Sequence, residues 1–399
     1  MPTSYATAHS SLNARELARY SRHIMLPEVG REGQERLRDS RVLIVGAGGL
    51  GSPAALYLAA AGVGEIGLAD FDQVEEHNLQ RQILHGTGEI GNPKVASARR
   101  RLTDLNPHVR IRPHEEGVSA ANSVSLFSQY DVIVDGCDNF PTRYLNNDSA
   151  FFAAKPLVYG SIFRFEGQVS VFHPSDGSPC YRCLFPKPPA PGKIPNCAEA
   201  GVFGALPGVI GSVQAMEAIK LLLGIGEPLR GRLLVFEALG MTTRTINLKK
   251  DPACPLCGSS PEIDRIDARR YQLDCGADRE PSTAPAEDSC SPVPLEITVR
   301  EARDRIDHNP ETVLLLDVRE PYETEICRLP GATTIPMGQV PGATTALPRD
   351  KPIVVFCHHG MRSLHIAKYL RQLGFPLASS LRGGIDAWAR ECDPNLPRY

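Results

Sequence analysis

Two short segments of this 399-residue chain carry side chains that could do chemistry. In the first, the apolar run Ile353-Val-Val-Phe leads into Cys357, followed by His358, His359, Gly360, Met361, Arg362 and Ser363. A cysteine between a strand and a helix start can have the loop amides of 358–363 aimed at its sulfur. Arg362 and the helix N-terminus would add positive potential, which favours a thiolate and an anionic persulfide. Phosphatase loops also pair Cys with Arg, but with five residues between them. Here there are four, and a shorter cradle suits sulfur better than phosphate. His358 and His359 read as loop surface rather than as bases. In the second segment, Val42-Leu-Ile-Val runs into Gly46-Ala-Gly48-Gly49-Leu-Gly51. This Gly-x-Gly-x-x-Gly spacing permits a tight turn and lets backbone N–H groups meet phosphate at a helix N-terminus.

The glycine pattern alone fits a nicotinamide dehydrogenase equally well. The residues downstream of it change the balance. Asp70 ends the next strand, where a carboxylate can take ribose hydroxyls. Asn78, Arg81, Gln82 and Lys94 come after it, and Asp138-Asn139 close a later strand. Arg81 and Lys94 would neutralise a triphosphate, and Asp138 would hold Mg²⁺ on its oxygens. Hydride transfer needs no such concentration of cations, whereas nucleotidyl transfer does.

Eleven cysteines in a long chain without a secretion signal point to metal binding and catalysis rather than a disulfide framework. Cys180/Cys183 and Cys254/Cys257 form two Cys-x-x-Cys knuckles. Four soft ligands suit tetrahedral Zn²⁺ and leave no open coordination position, so the site reads as structural. Two separate redox pairs are the alternative. Seventy residues lie between the pairs, so the site would pin one end of a domain to its middle. Cys197 follows a stretch, 186–195, with five prolines and one glycine, which must be a loop. A thiol there could reach a tethered tail, although a free cysteine is more often small buried filler.

The elements that must position these groups alternate. Strands are expected at 41–45, 66–71, 109–113, 131–135, 157–161, 168–173, 233–238 and 243–248. Helices are expected at 52–61, 94–105 and 208–223. This rhythm predicts a mostly parallel sheet with helices on both faces. Residues 259–294 read as a linker, its 278–294 portion rich in Ser, Pro, Ala and acidic residues. Beyond it, strands at 313–318 and 353–356 and a helix at 363–373 mark a second, smaller α/β domain. A net charge of −3 gives no reason to expect nucleic-acid binding. The longest apolar stretch, 50–63, is too short and too broken to span a bilayer. With no signal peptide read at residues 1–10, a cytoplasmic protein is the expectation.

Arg19-Tyr-Ser-Arg22, Gly46-Ala-Gly-Gly-Leu-Gly51, Asp70-Phe-Asp72, Asn78-Leu-Gln-Arg-Gln82, Lys94 and Asp138-Asn139 together resemble the MoeB/ThiF family of adenylyltransferases. The likeness spans about residues 12–258. It implies a Rossmann-like fold, ATP and Mg²⁺, and adenylation of the C-terminal Gly-Gly of a ubiquitin-like sulfur-carrier protein. By the same resemblance Gly46, Gly48 and Gly49 contact phosphate and Asp70 holds the ribose. Asn78, Arg81, Gln82, Lys94 and Asn139 surround the nucleotide, and Asp138 binds Mg²⁺. Arg22 reaches the partner subunit's ATP, which implies a homodimer. The four-cysteine zinc site and a covalent link from Cys197 to the carrier also belong to the family. Asp317-Val-Arg319, the Cys357 loop and Leu381-Arg-Gly-Gly-Ile-Asp-Ala-Trp388 resemble a single-domain rhodanese over 295–399. The whole looks like the MoeZ-type fusion of an adenylyltransferase domain, 1–258, with a rhodanese-like sulfurtransferase. Cys357 would then be the persulfide carrier. The expected product is a carrier thiocarboxylate, as used in molybdopterin or thiamine biosynthesis. The sulfur donor would be a cysteine-desulfurase persulfide or thiosulfate. The rival reading is a sulfurtransferase adaptor that has lost adenylation.

Overall fold

The computed structural model describes residues 11–173, 176–188, 201–271, 293–308 and 312–399. Cys197, Cys275 and Cys290 lie outside them. The chain divides into two compact units.

The first unit is built on an eight-stranded sheet: β1 (Arg41–Val45), β2 (Glu65–Ala69), β3 (Arg110–His114), β4 (Val132–Asp135), β5 (Leu157–Phe163), β6 (Glu166–Phe172), β7 (Arg232–Glu237) and β8 (Thr242–Asn247). Their order is β3-β2-β1-β4-β5-β6-β7-β8. The pairings from β3 to β5 are parallel, whereas β5 to β8 form an antiparallel meander. Both faces of β1 are buried because its residues alternate between two cores. Val42 and Ile44 join the helices Gly51–Ala61, Lys94–Leu105 and Leu206–Leu223, and Leu43 and Val45 join Phe140–Phe152. A sheet covered on both sides must read as a continuous apolar run, as 42–45 does.

Among the described residues one helix, Leu206–Leu223, is long and apolar enough by composition to cross a membrane, which the expected longest stretch at 50–63 had missed. It packs on β4, β5 and β6 and on Gly51–Ala61, and half of that window is buried. Residues 259–271, expected as the start of a linker, are packed against this unit. Ile263 is buried beside the cysteine knuckles, and the Tyr271 hydroxyl donates to Asp148 Oδ2 at 2.8 Å.

The second unit carries a five-stranded, all-parallel sheet: β9 (Glu296–Ile297), β10 (Leu314–Asp317), β11 (Thr333–Thr334), β12 (Ile353–Phe356) and β13 (Ala378–Leu381), ordered β11-β10-β12-β13-β9. Helix Met361–Gln372 covers one face, and Val299–His308 with Gly384–Glu391 covers the other.

In both sheets the strand order reverses direction once. The reversal lies between β1 and β4 in the first and between β10 and β12 in the second. Crevices at such switch points, beyond the strand C-termini, are where open α/β sheets bind ligands. Gly46 and Asp138 follow β1 and β4, and Arg319 and Cys357 follow β10 and β12.

Candidate functional site

In the first unit the Gly46–Leu50 turn is fixed by sterics. Gly46 has φ 93°, and a Cβ there would lie 2.9 Å from Gly136 O. A Cβ on Gly51 would lie 1.9 Å from Gly46 O. Only glycine fits either position. Gly48 and Gly49 are different, since a Cβ would meet nothing closer than 3.4 Å.

The Ala47 peptide is held from both sides. Its N–H donates to Asp70 Oδ2 at 2.7 Å, and its carbonyl accepts from His85 Nε2 at 3.0 Å. A carbonyl can only accept, so Nε2 carries the proton and Nδ1 takes the Ser97 hydroxyl at 2.9 Å. Burial lowers the His85 pKa, keeping this neutral tautomer. Asp70 Oδ1 also accepts from Asp72 N at 2.8 Å. Burial raises the Asp70 pKa, which Lys94 and the two amides only partly offset. Asp70 is therefore a brace of the loop as well as a candidate ribose ligand. His85 was invisible to motif reading, and only its position one turn after Arg81-Gln82 could have flagged it.

Asn78, Arg81 and Gln82 form one cluster. Asn78 Oδ1 accepts from Arg81 Nη2 at 3.2 Å and from Gln82 Nε2 at 3.0 Å. Gln82 Oε1 is buried without a hydrogen-bond partner beside the Gly48 turn. Lys94 is buried, with its Nζ 2.8 Å from the more exposed Asp72 carboxylate. A lysine at a helix N-terminus opposes the helix dipole, so an anion is needed there. Asp138 is exposed at the end of β4. Asn139 next to it is an N-cap, its Oδ1 accepting from Thr142 N at 2.9 Å, so its side-chain oxygen is committed to helix Phe140–Phe152. Arg22 is exposed, on the helical turn Ser21–Ile24.

Cys180, Cys183, Cys254 and Cys257 come together with all four sulfurs within 4.8 Å of one another. Four of the S···S separations are 3.4, 3.5, 3.5 and 4.0 Å. A tetrahedron with Zn–S bonds of about 2.3 Å has edges of about 3.8 Å. The cage therefore fits a tetrahedral thiolate metal, and the cysteines carry no disulfide.

In the second unit Cys357 is buried at the C-terminal end of β12. Gly360, with φ 96°, turns its N–H onto Cys357 Sγ at 3.2 Å. Sγ also lies 3.6 Å from Ser363 Oγ, which in turn reaches Gly360 O and Ser380 Oγ. Two expectations need correction. His358 is buried, at 3% exposure, while only His359 lies on the surface. Arg362 does not bring free positive charge to the sulfur. It forms a two-pronged pair with Glu323, at 2.6 and 2.7 Å, because a guanidinium fork matches a carboxylate better than a single sulfur. Glu323 is desolvated, yet Arg362 still holds its pKa below the usual range. Met361 starts the helix, partly exposed. Glu323 and Tyr399, which meets it, were missed, since neither stands in the Cys357 motif.

The ThiF family model matches residues 20–256, and that of the rhodanese-like domain matches 298–391. The "Probable adenylyltransferase/sulfurtransferase MoeZ" of Mycobacterium tuberculosis is 46% identical over 395 residues, covering 98% of this chain and 97% of its own. "Adenylyltransferase and sulfurtransferase MOCS3" of Drosophila ananassae is 41% identical over 408 residues, covering 100% of this chain and 88% of its own. The "Sulfur carrier protein adenylyltransferase" of Thermus thermophilus is 51% identical over 266 residues, covering 65% of this chain and 97% of its own. Among solved structures, E. coli MccB with MccA-N7isoASN aligns at TM-score 0.54 and 23% identity, covering 61% of this chain and 74% of that one. At that identity the likeness shows the fold alone. The chain thus belongs to the ThiF family, in the form that carries a rhodanese-like domain, and it is an adenylyltransferase and sulfurtransferase.

Proposed function

We propose that this enzyme adenylates the C-terminal glycine of a ubiquitin-like sulfur carrier at the first switch point and supplies the sulfur from Cys357 at the second. The observation that carries the reading is the pairing of two dissimilar loops, a glycine turn beside Arg81 and Lys94 and a turn around a buried Cys357, each at a switch point, on one chain. In the first step the carrier carboxylate attacks the α-phosphorus of ATP and pyrophosphate leaves. Backbone amides at Gly48 and Gly49, with Asn78, Arg81, Gln82 and Lys94, receive the phosphates, and Asp70 takes the ribose, while Gly46, whose own N–H donates to Ala69 O at 2.9 Å, sets the turn. Lys94 Nζ, now paired with the half-exposed Asp72 carboxylate, is the buried cation that can turn to a phosphate, whereas the unpartnered Gln82 Oε1 can only accept and would take a donor. Asn139 shapes the approach by capping its helix. Asp138 would hold Mg²⁺, which supplies charge neutralisation at the phosphates. One exposed carboxylate is enough, because Mg²⁺ sites complete themselves with phosphate oxygens and water.

In the second step the Cys357 persulfide attacks the acyl-adenylate, forming an S–C bond as AMP departs. The Cys197 thiolate then attacks Cys357 Sγ. The S–S bond to the acyl sulfur breaks, the thiocarboxylate leaves with the electron pair, and a dithiol reductant reopens the resulting Cys357–Cys197 disulfide. A cysteine-desulfurase persulfide or thiosulfate reloads Cys357. The four-cysteine cage would hold Zn²⁺ as a structural ion, all four positions being taken by protein. A thiol-rich enzyme of this kind, with eight free cysteines among the described residues, belongs in a reducing cytoplasm.

The active form we propose is a homodimer. An apolar groove lined by His23, Tyr57, Ala60, Met216 and Ile219 adjoins Arg22, with Tyr57 and Met216 more than half exposed. A second copy seated there would bring Arg22 towards its neighbour's nucleotide. The adaptor reading is not favoured, since the relatives are named for both activities.

The decisive experiment is ATP–[³²P]pyrophosphate exchange with Gly-Gly-ending carrier proteins, using Asp138→Ala as control. Carrier-dependent exchange that the substitution abolishes is expected. No exchange with any carrier would leave only the sulfurtransferase half of the proposal.

A further inference from the structure

Tyr399 touches the start of the Cys357 loop and reaches its end through Glu323. Its ring stacks flat on His358, with centroids 4.1 Å apart and planes 5° from parallel. The His358 ring also meets His359, at 3.8 Å. Neither His358 nitrogen has a hydrogen-bond partner, so packing alone sets the ring's position. The Tyr399 hydroxyl accepts from Arg319 Nη1 at 2.9 Å and donates to Glu323 Oε1 at 3.0 Å. Arg319 is fully buried and gripped by Asp317. Glu323 in turn holds Arg362. One phenol therefore fixes the residue directly after Cys357 and, through Glu323, the residue directly before Ser363. Burial holds the phenol well above its usual pKa, so it remains a donor to Glu323.

We propose that Tyr399 is a positioning residue for sulfur transfer, clamping the cradle whose Gly360 amide and Ser363 hydroxyl face Cys357 Sγ. The inference rests on the reading that Cys357 carries the sulfur. A cradle acts on a developing charge only when its donors are already in place, and a misplacement of about 1 Å can cost about a hundredfold in rate.

The test uses the full-length protein with thiosulfate and cyanide. The Cys357 thiolate attacks the outer sulfur of thiosulfate, a new S–S bond forms, and sulfite leaves with the electron pair. Cyanide then takes that sulfur as thiocyanate and returns the thiolate. Tyr399→Phe keeps the stack and removes both hydroxyl bonds. It should lower kcat about tenfold, the loss of a hydrogen bond between charged partners, and leave KM for thiosulfate within about twofold. Tyr399→Ala also removes the stack and should lower kcat about a hundredfold. ATP–pyrophosphate exchange should stay at wild-type level in both. Wild-type kcat in Tyr399→Phe and Tyr399→Ala, or a change confined to KM, would overturn the clamp. If Tyr399→Ala fails to fold, Tyr399→Phe decides alone. Cys357→Ala separates the two ideas: if it still transfers sulfur, the reading of Cys357 fails, and if it is dead while the Tyr399 variants are normal, only the clamp fails.

Discussion

The two reactive loops share a design and differ in where they keep their charge. Each follows a central parallel strand at a switch point, and each turns on a glycine with φ near 95°, Gly46 and Gly360. In the first, side chains from outside the loop brace it, Arg81 stands beside the turn, and the Lys94 ammonium is shared with an Asp72 carboxylate that is half exposed. In the second, the loop closes around its own buried sulfur, and the nearby guanidiniums, Arg319 and Arg362, are neutralised by Asp317 and Glu323. On the proposed function the contrast follows from the cargo. A triphosphate arrives carrying several charges and must be met by several cations. A persulfide is a single charge on a covalently held atom, which a few fixed dipoles can serve, while free guanidiniums would draw in competing anions.

The sharpest way to break this comparison is to remove one reactive group at a time. Cys357→Ala should abolish thiosulfate–cyanide transfer by about 10³-fold or more while leaving pyrophosphate exchange intact. Asp138→Ala should do the reverse, lowering exchange by about 10²–10³-fold with sulfur transfer unchanged. The turn glycines come next. Gly51→Ala forces a methyl to 1.9 Å from Gly46 O and should destabilise the first unit by about 3 kcal/mol or more in urea unfolding. Gly360→Ala meets Gly383 N at 3.0 Å with φ 96° and should cost the second unit about 1–3 kcal/mol. The response to pH is of the same order. Burial lowers the pKa of folded His358 to about 4, against roughly 6.5 when unfolded. Between those values the unfolded chain binds more protons. The contribution is therefore complete above about pH 6.5 and is lost as pH falls towards 4. Glu323, also depressed, adds a loss at the acid end. The urea midpoint of the second unit should fall over this window, and His358→Phe should flatten the fall between pH 6.5 and 4.5.

Much of this was legible because the signals were local. A continuous apolar run followed by glycines at fixed offsets specifies a strand, a turn and a helix within fifteen residues, and helix Lys94–Leu105 and strand Ile353–Phe356 fall where periodicity put them. The antiparallel half of the first sheet was not legible, because alternation tells strand from helix but not strand direction. Helix Phe140–Phe152 escaped because it carries polar side chains, Asn146, Asn147 and Asp148, on buried positions. The bracing groups escaped for a different reason. His85 lies 38 residues from the carbonyl it holds, and Tyr399 lies 76 from Glu323. No spacing rule connects residues that only the folded sheet brings together.

Arg164 and Phe165 join β5 to β6. Arg164, at φ 54°, pairs with Val202, and its carbonyl accepts from Phe203 N at 3.3 Å. That bridge lies immediately ahead of helix Leu206–Leu223, whose Leu206 N donates to Phe203 O at 2.9 Å. The connection between β5 and β6 therefore also sets where the long apolar helix enters the sheet, and a residue in the left-handed region that holds such a bridge is tolerated only because the surrounding structure fixes it.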